Sequence, residues 1–173
     1  MIGVSTRKVV RATYGAGFTI VEAVISTIIV AVMLVAALST VGASRVVQQE
    51  TSLAERGRLL AEALLAEILR QQYQEPGKSV AFGPEGDEST ATRADFDDVD
   101  DYNGWSVSPP VAKDGTALAN AAGWQRSVTV AWVVPKEPAQ AAGVETYVKR
   151  ITVTAKLNNV THATLVALRA DRQ

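Results

Sequence analysis

From Phe18 to Val41 the chain runs for 24 residues with hardly a polar side chain, and then its pattern changes. As a helix rising about 1.5 Å per residue, that run is roughly 36 Å long, enough to cross a hydrocarbon core of about 30 Å. It is therefore expected to be a transmembrane helix. One carboxylate, Glu22, stands at the fifth position of the run. An ionised carboxylate in hydrocarbon is costly, so its presence there needs a physical reason.

Beyond Val41 the pattern becomes one-sided. Ser44 to Tyr73 contains no proline and is rich in Ala, Leu, Glu, Arg and Gln, all good helix formers. Leu53, Leu60, Leu64 and Ile68 follow one another at spacings of seven, four and four, which makes one apolar stripe. Gly57 lies on that stripe. A glycine costs about 1 kcal/mol in a helix interior, so it marks a bend or a close approach by another backbone. Gly42 is a second weak point. Pro76-Gly77 is expected to end the helix, giving one element from Phe18 to Tyr73.

Residues 76–104 are rich in Gly, Pro, Asp and Ser and read as a long surface loop. The remainder reads as antiparallel sheet. Trp105 to Val107 is a short strand stopped by Pro109-Pro110. Val128, Val130, Trp132 and Val134 alternate with Ser127, Thr129 and Ala131, and Ile151, Val153, Ala155 and Leu157 with Thr152, Thr154 and Lys156, so each segment has one apolar face. Asn158-Asn159 suits a two-residue hairpin turn, because asparagine tolerates positive φ, and Val160 to Arg169 returns as a last strand. A one-faced sheet needs cover, which the Leu53–Ile68 stripe supplies. The expected fold class is α+β: a long N-terminal helix, its first half transmembrane, packed on a small antiparallel sheet of three or four strands. The expected segments are 1–17, a basic leader; 18–41, the membrane helix; 42–74, its continuation on the sheet; 75–104, an acidic loop; and 105–173, the sheet domain.

Composition adds an asymmetry. The formal net charge is only -1 and charged residues are 20%, which gives no reason to expect a nucleic-acid partner. Residues 1–17, however, carry Arg7, Lys8 and Arg11 and no acid. By the positive-inside rule they stay in the cytoplasm and the rest lies outside. An ordinary signal anchor would satisfy this. So would a secretory signal cut near Val41-Gly42-Ala43, although such signals have apolar regions of only about 7–15 residues. Neither accounts for Glu22. There is no cysteine, so disulfides and thiol chemistry are excluded.

The basic leader, then Gly17, Phe18-Thr19-Ile20-Val21-Glu22 and an unbroken apolar stretch resemble the precursors of type IV pilins and type II secretion pseudopilins. The resemblance implies that prepilin peptidase cuts between Gly17 and Phe18 and methylates the new amine of Phe18. It assigns Glu22, with Thr19, to assembly in a filament of staggered helices, where the Glu22 carboxylate meets the amine of a neighbour. Charge pairing in low dielectric is strong and an unpaired partner is costly, so Glu22 would act as a register device. The competing account is that Glu22 merely snorkels to the cytoplasmic face. The string Asp97-Asp-Val-Asp-Asp-Tyr-Asn-Gly-Trp105 is similar to a segment of minor pilins of the mannose-sensitive haemagglutinin type, and Arg150-Ile-Thr-Val-Thr onward looks like the closing strands of minor pilins. The implied partners are other pilins or pseudopilins, prepilin peptidase and inner-membrane lipid. The implied location is the bacterial inner membrane, then an extracytoplasmic filament. The alternative function is an inner-membrane-tethered calcium- or ligand-binding module that forms no filament.

Candidate chemistry is concentrated in the acidic loop. Between Glu85 and Asp101 stand eight acids and one base, Arg93. Asp95, Asp97, Asp98, Asp100, Asp101 and Asn103 offer hard oxygens that suit calcium, although their spacing is not that of an EF-hand. The same residues serve turns and caps, stay solvated, or pair with Arg126, Lys149 or Arg150. His162 is the only histidine and has no metal-ligating or catalytic companion. Glu75-Pro-Gly-Lys78 lacks the second glycine and the hydroxyl of a phosphate loop. Trp105, Trp124 and Trp132 suggest a sugar-stacking surface, but Trp132, alternating with Val130 and Val134, reads as core. No enzyme is expected, and no cofactor beyond the candidate calcium.

Overall fold

The computed structural model describes residues 17–75, 82–86, 88 and 91–171. The leader bases and Pro76-Gly77 lie outside the described residues. The chain divides into two compact units, Met1–Val47 and Gln48–Gln173. Helix α1, Ile20–Ile68, contributes to both.

In the first unit every described side chain is exposed, including large apolar ones such as Ile25, Val30, Met33 and Leu38. By length and composition α1 is able to cross a membrane. Four of its hydroxyls bond back to the helix itself. The hydroxyls of Thr27, Ser39, Thr40 and Ser44 donate to carbonyls three or four positions back at 2.8–3.0 Å. Such bonds remove the cost of an unpartnered hydroxyl in an apolar medium.

In the second unit α1 is amphipathic. Gly57, Ala61, Leu64 and Ile68 are buried, while Leu53 and Leu60 pack at the margin of the core. The expected stripe is present, rotated slightly so that Ala61 replaces Leu60 at its centre. Gly57 marks a close approach. A Cβ built there would lie 2.9 Å from His162 Cβ, 3.1 Å from Trp124 Cζ3 and 3.4 Å from the His162 carbonyl carbon.

The helix stops at Ile68, short of the expected Tyr73. The backbone amides of Arg70 and Gln71 bond to Glu67 and Ile68 three residues back, so the last turn tightens. Gln72 then leaves to form a parallel bridge with Asp98. Its amide donates to the Asp97 carbonyl, and the Val99 amide donates to its own carbonyl, both at 3.1 Å. A backbone committed to that bridge cannot continue the helix.

Five strands follow: β1, Ser106–Val107; β2, Trp124–Val134; β3, Glu137–Ala141; β4, Val148–Leu157; β5, Val160–Ala170. All pairings are antiparallel. The order is β1-β2-β4-β5, with β3 on the far end of β2. Asn158 and Asn159, at φ of 48° and 67°, make the expected tight turn between β4 and β5.

The apolar face of β4, with Ile151, Val153 and Ala155 buried, is as expected. That of β2 departs from expectation. Trp124, Arg126, Val128 and Val130 face inward, but Val133 is buried next, and Trp132 and Val134 are only half-buried. β2 pairs with β4 only as far as Trp132 opposite Lys149; Val133 and Val134 pair irregularly with β3. The change of partner flips the inward phase. Trp124 is thus the buried core indole, and Trp132 packs edge-on against Phe82 at 4.7 Å between ring centroids.

Candidate functional site

Two places bear on function, and each belongs to one unit. The first is the start of α1. Gly17 and Phe18 precede the helix, and Phe18 is 77% exposed. Thr19 is its N-cap: its Oγ1 accepts the Glu22 amide at 3.2 Å, and its carbonyl accepts the Ala23 amide at 3.1 Å. Thr19-x-x-Glu22 therefore has the spacing of a capping box, in which hydroxyl and carboxylate serve the free amides of the first turn. A negative charge also suits the positive end of the helix. Glu22 thus has a local reason to be acidic, independent of any neighbour. Among the described residues its carboxylate has no cationic partner within the chain.

The second place is the corner formed by residues 82–86, 88 and 91–105 against the end of α1 and the sheet. It contains two groups of charge with opposite character. In the first, the Glu67 carboxylate, on the last turn of α1, receives Arg93 Nε at 2.8 Å and Nη2 at 3.1 Å, a bidentate pair. The Tyr102 hydroxyl donates to the same carboxylate at 3.0 Å. Arg93 is fully buried and lies over the Trp105 ring at 4.1 Å. Arg126 is buried beside it, and both guanidinia donate to the Val111 carbonyl. Burial pushes Glu67 up, but Arg93 and Tyr102 outweigh it and hold the carboxyl below its usual range. Burial, then the charge of Arg93, lowers Arg126 to about 10, leaving it cationic at neutral pH.

The second group is acidic. Asp98, Asp100 and Asp101 are buried, whereas Asp95 and Asp97 are exposed. Asp98 Oδ1 accepts the amides of Asp100 at 2.7 Å and Asp101 at 3.3 Å, which closes the 3₁₀ turn Asp100–Tyr102. Asp101 Oδ2 accepts the amides of Asp97 and Asp98 at 3.0 and 2.9 Å. Asp100 pairs with buried Lys149, which also reaches the Tyr73 carbonyl. Asn103 Oδ1 accepts the Val130 amide at 3.0 Å and so holds the turn to β2.

Of the six candidate calcium ligands, Asp98 and Asp101 serve the turn, Asp100 pairs with Lys149, Asn103 holds β2, and Asp95 and Asp97 are exposed. Among the described residues only Asp101 of the six joins a three-carboxylate group, and its companions are Glu85 and Glu88, with ligand oxygens all within 4.8 Å of one another. Those two acids contribute to the charge count of the loop, but nothing local in sequence links them to Asp101. Burial, then the charge of Glu75, raises Glu85. Burial also raises Asp101, and it lifts Glu88 to about 7 and Asp98 to about 8.

Of the bases offered as partners for the loop acids, Lys149 takes that part. Arg150 instead donates to the Pro138 and Ala139 carbonyls at 2.8 and 2.6 Å, and Arg126 sits with Arg93. His162 packs against Trp124 with ring centroids 5.5 Å apart. The described residues form a membrane-anchored α+β domain of the general architecture seen in pilins. No protein-family model matches the chain, and neither a curated protein nor a solved structure matches it.

Proposed function

We propose that the chain is the precursor of a type IV pilin-like protein, a minor pilin or pseudopilin, and that its work is assembly and not catalysis. Prepilin peptidase removes residues 1–17 on the cytoplasmic side and methylates Phe18. The protein waits in the inner membrane with its sheet domain outside, then enters a type IV pilus or type II secretion pseudopilus by lateral packing of α1 with its neighbours. The observation that carries the reading is the position of Gly17-Phe18-Thr19-x-x-Glu22 at the head of a helix that is apolar on every side. A helix of that kind is suited first to lipid and then to a core of similar helices. The Glu22 carboxylate, which has no cationic partner among the described residues, is free to take the Phe18 amine of a neighbour. In an apolar filament core that pairing favours one stagger over others.

Intact-mass spectrometry of the protein extracted from its native membrane tests the reading. The expected species begins at Phe18 and carries one added methyl on its amine. A mature start at Ser44 would mean a secretory signal peptide and overturn the proposal.

A further inference from the structure

The polar corner of the second unit contains one group that the filament reading leaves unused. Glu85 and Glu88 stand at the two ends of a single turn. The Glu88 amide donates to the Glu85 carbonyl, and the Glu85 amide donates to Glu88 Oε2, both at 3.0 Å. This turn presents both carboxylates to Asp101, with ligand oxygens within 4.8 Å. Asp101 is only 1% exposed. Its Oδ2 is committed to two backbone amides, and its Oδ1 is buried with no N–H donor and faces only the Glu88 carboxyl. A buried carboxylate oxygen left bare is expensive. Among the described residues no lysine or arginine forms an ion pair with any of the three. The nearby bases are engaged elsewhere: Lys149 with Asp100, and Arg93 with Glu67.

We propose that Glu85, Glu88 and Asp101 hold one calcium ion, which fastens the turn at 85–88 onto the 3₁₀ turn at Asp100–Tyr102. The donors are all hard carboxylate oxygens, with no histidine or thiolate to favour zinc or copper. Three carboxylates exceed the one or two that a magnesium ion usually takes from protein, and calcium accepts the irregular geometry of two short turns. Glu85 and Glu88 are half-exposed, and Asp101 lines a cleft of about 370 Å³ with Pro84, Phe96 and Asn103. Water therefore has access to complete the coordination. The ion answers the bare oxygen of Asp101 and the mutual repulsion of the three charges together. The bound ion braces the domain whether or not the chain enters a filament.

The test uses the full-length protein in detergent, stripped with chelator and titrated calorimetrically with calcium chloride and, separately, with magnesium chloride. One calcium site is expected, saturating at or below the millimolar range of extracytoplasmic modules, with magnesium at least tenfold weaker. Calcium should also raise the melting temperature by mass action on the folded state. Glu85→Gln with Glu88→Gln should weaken calcium binding at least tenfold, yet melt in chelator no lower than wild type, because the repulsion is gone. Asp101→Asn keeps an oxygen for the Asp97 and Asp98 amides and should lose calcium likewise. Asp95→Asn with Asp97→Asn should bind as wild type. No saturable calcium binding at about 5 mM would overturn the proposal. So would undiminished binding by the Glu85/Glu88 variant, or a preference for magnesium.

Discussion

Two of the five carboxylates on helix α1 keep very different company. Glu67, near its end, has an arginine, a tyrosine and an aromatic floor built around it. Glu22, in its first turn, has the Thr19 cap and, among the described residues, no cation. The same contrast runs through the apolar residues. From Ile20 to Val41 the helix carries exposed apolar side chains on every side, with Glu22 its one charge; from Gln48 onward one stripe is buried and the other faces carry charge. A one-sided stripe is matched by a single sheet within the chain. An all-round apolar surface can only be satisfied from outside, by lipid or by other helices. The difference separates residues that hold the domain together from residues that prepare it for something else, and it makes substitutions in the two stretches behave differently.

The largest difference is expected from leucine truncation. Leu64 is wholly buried between helix and sheet, and Leu34 is exposed. Leu64→Ala should lower the unfolding free energy of the domain by about 2–5 kcal/mol, through lost transfer energy and a residual cavity. Leu34→Ala should leave it unchanged. All three tryptophans, Trp105, Trp124 and Trp132, lie in the second unit, so tryptophan fluorescence during denaturant unfolding reads that unit alone. Equal effects of the two substitutions would break the comparison.

Glycine substitution is expected to come next. An added Cβ at Gly57 would collide with His162 and Trp124, whereas Gly42 has nothing within 4 Å. Gly57→Ala should cost about 1–3 kcal/mol by overpacking, less whatever helix propensity returns. Gly42→Ala should be neutral for the domain. The same unfolding measurement distinguishes them, and a stabilising Gly57→Ala would mean that β5 gives way more easily than the packing indicates.

Glu22 tests the outward-facing half directly. Glu22→Gln keeps size and polarity without charge, and Glu22→Val removes both while making the membrane segment more apolar. Both should insert and be cut after Gly17. If the carboxylate sets register against a neighbour, both should enter filaments about tenfold less, equivalent to about 1.4 kcal/mol per contact. A snorkelling or purely capping role predicts that filament incorporation is insensitive to the valine. Quantifying each variant in sheared filaments against the membrane pool decides it.

The sequence made the periodic parts plain. The β4–β5 hairpin follows from two alternating runs around Asn158-Asn159, and the helix stripe from the spacing of Leu60, Leu64 and Ile68. What escaped were features set by distant partners. The helix end depends on Gln72 bridging Asp98, which no capping residue announces. β3, Glu137-Pro-Ala-Gln-Ala, has neither alternation nor apolar content, and its proline is tolerable only at an edge. Trp132 belonged to a sound period-two pattern, but the strand changes partner beneath it. In the acidic loop the density of charge was visible and its division was not. Asp100 goes to Lys149 and Asp98 to the turn, while Asp101 meets Glu85 and Glu88 across a gap in sequence that only the fold closes.

The smallest expected effect concerns the pH dependence of the Glu67 pair, and it completes the contrast with Glu22. The folded protein holds the Glu67 carboxyl below its usual range, the bonds from Arg93 and Tyr102 overcoming burial. The folded state therefore favours the charged form. That contribution is fully present above the ordinary carboxylate pKa of about 4.3 and is lost as pH falls through the lower, folded value. Glu67→Gln keeps an oxygen for Tyr102 and Arg93 but cannot titrate. The gap in unfolding free energy between wild type and Glu67→Gln should be constant from about pH 8 to pH 5 and should narrow below about pH 4. Other acids titrate in both proteins and cancel in the difference, provided the variant leaves their surroundings intact. A gap that stays constant down to pH 3 would mean that Arg93 is held mainly by Val111 and the Trp105 face, with little help from the Glu67 charge. Glu22→Gln, measured identically, should leave the unfolding of the second unit unchanged, because Glu22 lies in the first unit.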